Sequence, residues 1–157
     1  SDWLAGEYGL RLAYHHHLMT VAETFAETAA ILEAAPGAGL LLDTGHAAAA
    51  GFDYAQLIDR FGDRIAHIHL KDLRPEVMAA VRAEDASFND GVRRGMFTVP
   101  GDGCIDFAAL ARFLDDHYTG WLVIEAEQDP LKAPPLPAVT RARRHVAQLF
   151  NLDEGVQ

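Results

Sequence analysis

Four short apolar segments of the chain end in histidine, aspartate or glutamate, the residue types that bind divalent metals. They read LAYHHHLMTVAE, LLLDTGH, IAHIHLKD and WLVIEAEQD. A short apolar run predicts a buried strand, and strands with polar groups at their carboxyl ends predict one shared site at the mouth of a barrel. The chemistry of such a site would be that of a cation held by imidazole and carboxylate groups.

The spacing within the middle segments predicts which side chains share a face. In LLLDTGH, Asp43 ends the strand and His46 follows one backbone turn later, so both can point into the same mouth. His67, His69 and Lys71 alternate along the next segment and therefore share one strand face. Inward polar groups are costly unless they are paired or solvated, which favours a functional role for His69.

The last and first segments add further candidates. Glu125 and Glu127 share a face, and a carboxylate that ends an inward-facing strand is a natural ligand for a hard metal ion. His15 and His17 also share a face, and Glu23 opens the helix that follows, where an acidic residue equally suits the helix dipole. Carboxylate oxygens mixed with imidazole suit Mn²⁺, Co²⁺, Mg²⁺ or Fe²⁺ better than a structural zinc ion.

Strand and helix patterns alternate along the chain. The stretch AAAAGFD predicts a loop, and residues 72–104 form a long segment with only short helical patterns. A segment this long between core elements is usually functional or disordered, and we expect it to fold over the site, with Arg93, Arg94 and Phe97. We predict strands at 10–14, 40–42, 65–70 and 121–125, and helices at 21–32, 54–61, 105–114 and 139–150.

This alternation predicts an α/β protein with parallel strands and right-handed crossovers. The sequence lacks a Gly-rich phosphate fingerprint after the first strand, and polar groups end every strand, which favours a barrel over an open doubly wound sheet. A whole barrel needs about 250 residues. The 157 residues therefore predict one domain over 1–157, a (β/α) half-barrel.

Composition narrows the partners. The formal net charge is −10, with 13 Lys and Arg against 23 Asp and Glu, which argues against nucleic acid. No apolar run approaches the roughly 18 residues of a membrane helix, and the start SDWLAGEYG lacks the pattern of a signal peptide. We therefore expect a cytoplasmic protein without a membrane partner. Cys104 is the single cysteine, which excludes an internal disulfide and a CxxC zinc motif.

Five strings are distinctive in sequence: YHHHLMT, LLLDTGH, HIHLKD, FNDGVRRGMFTVPGDGCIDF and GWLVIEAEQDP. In these the chain resembles the xylose-isomerase-like TIM-barrel superfamily of sugar isomerases and epimerases, and within it the inosose dehydratases of inositol catabolism. The resemblance runs from about Gly9 to Leu152 and covers the C-terminal half of the family's barrel. It implies a hydro-lyase that removes water from a small polyol ketone, 2-keto-myo-inositol (scyllo-inosose), through an enediolate.

Two other functions remain open. A ketose isomerase or epimerase of the same superfamily would use the same metal and enediolate but return the proton to carbon. A catalytically incomplete half-barrel would bind metal or self-associate without turnover. Because an open half-barrel exposes its sheet edges, we expect a homo-oligomer or a partner that carries the N-terminal half.

The resemblance also implies a divalent metal held by four side chains, with Mn²⁺ or Co²⁺ expected first and Mg²⁺, Fe²⁺ or Zn²⁺ as alternatives. Asp43, His69 and Glu125 match three ligand positions, and Glu127 is the alternative to Glu125. Glu23 is the expected first ligand, with His15 or His17 as the substitute. The expected catalytic or substrate-contacting side chains are His46, Lys71, His15, His17 and Glu127.

Overall fold

Short strands and helices alternate through the molecule. The computed structural model describes residues 1–152, apart from the side chains of 115–117. A 3₁₀ turn at Gly62–Arg64 joins the fourth helix to the third strand. In chain order the elements are α1 (Asp2–Tyr8), β1 (Ala13–His15), α2 (Phe25–Ala34), β2 (Gly39–Asp43), α3 (Thr44–Ala49), α4 (Ala55–Phe61), β3 (Ile65–Leu70), β4 (Asp72–Leu73), α5 (Pro75–Ala83), α6 (Phe88–Arg94), β5 (Phe97–Thr98), α7 (Ala108–His117), β6 (Leu122–Ile124) and α8 (Pro135–Leu149).

A four-stranded parallel sheet carries the site. Its order is β1-β2-β3-β6, and every neighbouring pair is parallel. The register places Asp43 opposite His69, and His69 opposite Val123, so the carboxyl ends of the strands lie side by side. The predicted α/β class with parallel strands is confirmed, and β3 has the predicted bounds.

The two faces of the sheet differ in burial. Leu40, Leu42 and Ile68 are completely buried in a core shared with the surrounding helices. Leu41 and His67 point to the opposite face because side chains alternate along a strand, and both are only half-buried. That second face continues to the candidate ligands at the strand ends.

Several predicted boundaries differ from the structure by a few residues, such as the helix predicted at 105–114, which begins at Ala108. Capping explains two of the differences. The helix predicted from Val21 begins at Phe25, because Thr24 and Glu27 form a capping box, and the Val21 side chain is 95% exposed. The predicted AAAAGFD loop begins inside helix α3. Asp43 caps that helix, and the alanines that follow have the highest helix propensity.

The segment at 72–104 has ordered structure and a core of its own. Strands β4 and β5 pair antiparallel, and α5 and α6 lie between them. Leu18, which directly follows the three histidines at 15–17, packs into this second core. The second core therefore covers one side of the strand ends. The buried residues of this core are Leu18, Ala49, Leu73, Met78, Val81, Met96 and Phe97.

The helix lengths and the single cysteine can also be compared with the predictions from composition. Within residues 1–152, no helix combines the length and apolar character needed to cross a bilayer. Cys104 is an exposed free thiol, outside both large cores.

Candidate metal centre

Four ligand-type side chains converge at the carboxyl ends of the parallel strands. Oδ2 of Asp43 lies 3.6 Å from Nε2 of His15 and 3.6 Å from Nδ1 of His69. The same His69 nitrogen lies 3.3 Å from Oε2 of Glu125. Each residue comes from a different strand end, as parallel strands in register require.

These four atoms are shielded from solvent and lack ordinary partners. Within the described residues, none of them makes a hydrogen bond of regular geometry, although Oε2 of Glu125 also lies 2.7 Å from Nζ of Lys71. Ligands arranged tetrahedrally at about 2.1 Å from an ion lie about 3.4 Å from each other. The observed separations of 3.3 Å and 3.6 Å from His69 to Glu125 and to Asp43 match that value, so Asp43, His69 and Glu125 fit a divalent metal ion. His15 lies 3.6 Å from the Asp43 oxygen on its other side and groups with Asp43 and His46.

Asp43 is fixed by the fold rather than by its ligand partners. Its Oδ1 accepts a hydrogen bond of 2.8 Å from the His46 backbone N–H at the start of α3, which leaves Oδ2 for the centre. Its own backbone N–H donates to Nε2 of His16 at 3.3 Å. The carboxylate is therefore held at both its backbone and one of its oxygens.

The electrostatics of the centre favour ionised carboxylates. Burial disfavours the charge of Asp43, but the rings of His15 and His69 and the Lys71 ammonium group hold its pKa well below the usual value. Burial also opposes the charge of Glu125, yet His69 and Lys71 lower its pKa. In turn, the Asp43 and Glu125 carboxylates raise the pKa of His69 to about 9.

A second group of side chains lies directly beside the four ligands. Nζ of Lys71, which is 1% exposed, lies 2.6 Å from Oε2 of Glu127 and 3.0 Å from Nε2 of His46. Burial would lower the pKa of Lys71, but Asp43, Glu127 and Glu125 raise it above its usual value. Burial lowers the pKa of His46 to about 2. The group therefore combines a charged amine with a neutral imidazole.

The backbone after β2 makes room for the lysine. The Thr44 hydroxyl donates to the Lys71 carbonyl oxygen at 2.6 Å and accepts from the Lys71 N–H at 3.1 Å. A Cβ atom on Gly45 would lie 2.6 Å from Cγ of Lys71. The sequence DTGH therefore needs threonine and glycine at these positions, for reasons that strand periodicity could not reveal.

Aromatic rings close the side of the site next to residues 72–104, which we call the inserted segment. The His17 ring lies 3.8 Å from that of His46 and 5.0 Å from that of Phe88. Nζ of Lys71 lies 4.7 Å from the centre of the Phe97 ring, a cation–π contact. Nδ1 of His17 lies 2.8 Å from the Leu18 carbonyl oxygen, to which it can only donate. The neutral ring then carries its lone pair on Nε2.

The structure does not bring every predicted residue to this centre. Oε2 of Glu23 accepts from the Met19 N–H at 2.6 Å, which ties its carboxylate to a local turn. The groups able to hold a metal among the described residues are His15, Asp43 and His46, and Asp43, His69 and Glu125, so neither contains Glu23. Within the inserted segment, Arg93 and Arg94 form ion pairs with Asp90 and Glu84.

Sequence reasoning missed His16. Strand alternation turned it away from the predicted mouth, and the structure buries it completely beside Phe52. Burial lowers its pKa to about 4, and Nε2 accepts the Asp43 N–H. The HHH string was the available signal, because a buried histidine next to two half-buried ones needs a hydrogen-bond partner.

The chain belongs to the xylose isomerase-like TIM barrel family, whose family model matches residues 2–149. Among curated relatives, it is 44% identical over 148 residues to inosose dehydratase of Geobacillus kaustophilus, covering 92% of this chain and 48% of that protein. It is 46% identical over 146 residues to inosose dehydratase of Bacillus velezensis, with 91% and 49% covered. The chain thus spans about half the length of the curated relatives it matches.

Solved structures show the same fold. The IolI protein with a binding zinc atom superposes with a TM-score of 0.68 at 20% identity, covering 99% of this chain and 54% of that one. The 3-keto-D-glucoside 4-epimerase YcjR from E. coli gives 0.62 at 17% identity, covering 96% and 49%. A partial TIM barrel is therefore confirmed.

The close approach of Gly45 and Lys71 yields a test. We expect Gly45→Ala to lower the free energy of unfolding in urea by about 1–3 kcal/mol, because the added methyl group displaces a buried side chain. Gly6→Ala is the matched control, since a Cβ there meets no atom within 4 Å. Equal urea midpoints for Gly45→Ala and the parent would show that the lysine is not held against this glycine.

Proposed function

We propose that this chain carries the metal-binding half of an inosose dehydratase, a hydro-lyase that removes water from scyllo-inosose and leaves a trihydroxycyclohexane dione. The observation that carries the proposal is the convergence of four shielded ligand-type atoms, none with a hydrogen bond of regular geometry, beside the buried Lys71, His46 and Glu127 group. The names of the relatives supply the substrate class, a small polyol ketone. The location we propose is the cytoplasm, where an exposed free thiol such as Cys104 stays reduced.

The proposed metal ligands are Nε2 of His15, Oδ2 of Asp43, Nδ1 of His69 and Oε2 of Glu125. We favour Mn²⁺ or Co²⁺, with Mg²⁺, Fe²⁺ or Zn²⁺ as alternatives, because mixed imidazole and carboxylate sites accept all of these ions. When bound, the cation supplies Lewis-acid chemistry, which withdraws electron density from the ketone and stabilises the enediolate.

The chain's own side chains then divide the proton chemistry. Nε2 of His17 accepts the proton from the carbon next to the ketone, since the bond from Nδ1 to the Leu18 carbonyl leaves the lone pair on Nε2. As the C–O bond breaks, the same nitrogen returns the proton to the departing hydroxyl group, which leaves as water. Phe88 packs beside the His17 ring and limits the access of bulk water.

The lysine acts through its neighbours. Lys71 is enclosed by Glu125, Glu127 and His46, so it reaches the substrate only through them. The Glu127 side chain is 26% exposed and can accept a hydrogen bond from a substrate hydroxyl group. Lys71 and His46 therefore orient Glu127, and Glu127 orients the polyol ring.

The first test of this function is turnover. We expect the chain loaded with Mn²⁺ or Co²⁺ to form the dione from scyllo-inosose, measured by NMR, either alone or mixed with the N-terminal half of the Geobacillus kaustophilus relative. Apo protein is the control and should be inactive. An isomer of the substrate, formed without loss of water, would establish an epimerase or isomerase instead. If neither the metal-loaded chain alone nor its mixture with the N-terminal half forms any product, the proposal is refuted.

The second test separates the candidate first ligands. We expect His15→Ala to weaken Co²⁺ binding by more than about 100-fold, because loss of a direct ligand exceeds the 10- to 100-fold effect of an outer partner. Glu23→Gln should stay within about threefold of the parent, since its carboxylate bonds the Met19 backbone. Calorimetric titration with Co²⁺ measures both. The reverse order would return Glu23 to the ligand set.

We further propose that a second barrel half covers the open face of the sheet. Strands β1 and β6 each pair on one side only within the described residues, which leaves two edges. A cavity of about 650 Å³ opens beside the half-buried face and is lined in part by Ala13, Leu41 and His67. Either a second copy of the chain or the N-terminal half of the barrel would complete eight strands.

The oligomeric state of the purified chain tests whether a second barrel half covers the open face of the sheet. We expect the purified chain to run as a dimer in size-exclusion chromatography with light scattering, because exposed parallel edges and a half-apolar face favour pairing. Added N-terminal half from the relative should compete and give a heterodimer. A monodisperse monomer under both conditions would contradict the proposal.

A further inference from the structure

The Thr98 hydroxyl group is a buried junction between the inserted segment and the strand-end loop that follows β6. It accepts hydrogen bonds from Nη2 of Arg74 at 2.9 Å and from Nε2 of Gln128 at 3.2 Å. It donates to Oδ2 of Asp102 at 2.9 Å. A hydroxyl group offers one donor and two acceptor sites. All three are therefore used at a residue without solvent exposure.

The backbone around Thr98 is itself fixed by a buried carboxylate. Asp72 pairs with Thr98 across the β4–β5 ladder. Its two oxygens accept four backbone N–H bonds, from Leu73, Gly101, Gly103 and Ile105, at 2.8 to 3.1 Å. This holds the loop that presents Asp102 to the hydroxyl.

Glycine is required where that loop wraps the carboxylate. A Cβ atom on Gly103 would lie 2.3 Å from Oδ1 of Asp72, and Gly101 has a φ of +87°. The backbone of the PGDG loop therefore wraps closely around the Asp72 carboxylate. Backbone hydrogen bonds to Asp72 therefore fix the loop around Thr98, in addition to its side-chain contacts.

The other end of the junction reaches the candidate metal centre. Gln128 follows Glu127, whose Oε2 receives the Lys71 ammonium group at 2.6 Å. Glu125, a proposed ligand, lies on the same short loop, and its N–H donates to the Leu70 carbonyl oxygen of β3 at 3.1 Å. Beyond that bond, Gln128 ties the loop to the inserted segment through Thr98.

We propose that Thr98 is a positioning residue, whose hydroxyl group holds Gln128 and thereby sets Glu127 against Lys71 and Glu125 at the metal centre. This role rests on the proposed function for its catalytic consequence only. The placement of the two glutamates is a property of the metal-binding chain, whatever reaction it supports.

The matched variants are Thr98→Val, which keeps the shape and removes the hydroxyl group, and Thr98→Ser, which keeps the hydroxyl group. We expect Thr98→Val to weaken Co²⁺ binding about 10-fold, the lower end of the effect of losing a direct partner of a ligand, because Thr98 acts on Glu125 through Gln128. Hydrogen exchange at the Glu125 and Gln128 amides should quicken by a similar factor. Thr98→Ser should restore both readouts to within about threefold of the parent.

A second variant guards against a folding defect at Thr98. Gln128→Leu removes the tether from the half-exposed side, and we expect it to reproduce the effects on metal affinity and amide exchange. If both act through one bond, the double variant Thr98→Val with Gln128→Leu should be no weaker than either single variant. Additive losses would refute the tether.

The outcomes separate this role from the proposed reaction. A parent chain that forms no dione refutes the reaction, while metal affinity and amide exchange still judge Thr98. If the parent is active, we expect Thr98→Val to lower kcat more than it changes KM, because Glu127 is displaced from its working position. Parent-like Co²⁺ affinity and amide exchange in folded Thr98→Val would overturn the proposal.

Discussion

The buried carboxylate of Asp43 is the constraint on which the rest of the site depends. One oxygen caps α3, and the other lies among the nitrogens of His15, His69 and Lys71. A buried charge is costly unless hydrogen bonds and opposite charges compensate it. Those compensating groups come from three different segments, so the centre is complete only when the sheet has brought these segments together.

The remaining elements serve to hold these partners. Parallel register puts Asp43 beside His69 and places Glu125 one strand further. The inserted segment adds a second core around Leu18 and Phe97, which fixes the histidine segment and gives Lys71 an aromatic neighbour. A chain of about half the relatives' length therefore brings Asp43, His69 and Glu125 together and places His15 beside Asp43.

Sequence reasoning found the strands and the shared mouth because both follow from periodicity. Alternation of polar and apolar residues along β3 predicts which face carries His69, and the carboxyl-end rule brings Asp43 and Glu125 to it. The same reasoning could not choose between His15 and Glu23. That choice depends on a turn in which Glu23 bonds the Met19 N–H, and periodicity does not encode such turns.

Two other differences from the structure have separate origins, one local and one tertiary. Val21 continued a helical spacing, but the Thr24 capping box started the helix later. Thr98 lies in a segment with little pattern of its own, and its importance comes from partners distant in sequence, Arg74 and Gln128. Tertiary hydrogen bonds of this kind become visible only once the fold is known.

The most direct test of the account is a crystal structure of the Co²⁺-loaded chain with anomalous scattering recorded at the cobalt edge. We expect one strong peak about 2.0–2.2 Å from Nε2 of His15, Oδ2 of Asp43, Nδ1 of His69 and Oε2 of Glu125. A peak bound to Glu23 in place of His15, or none between these four side chains, would contradict it.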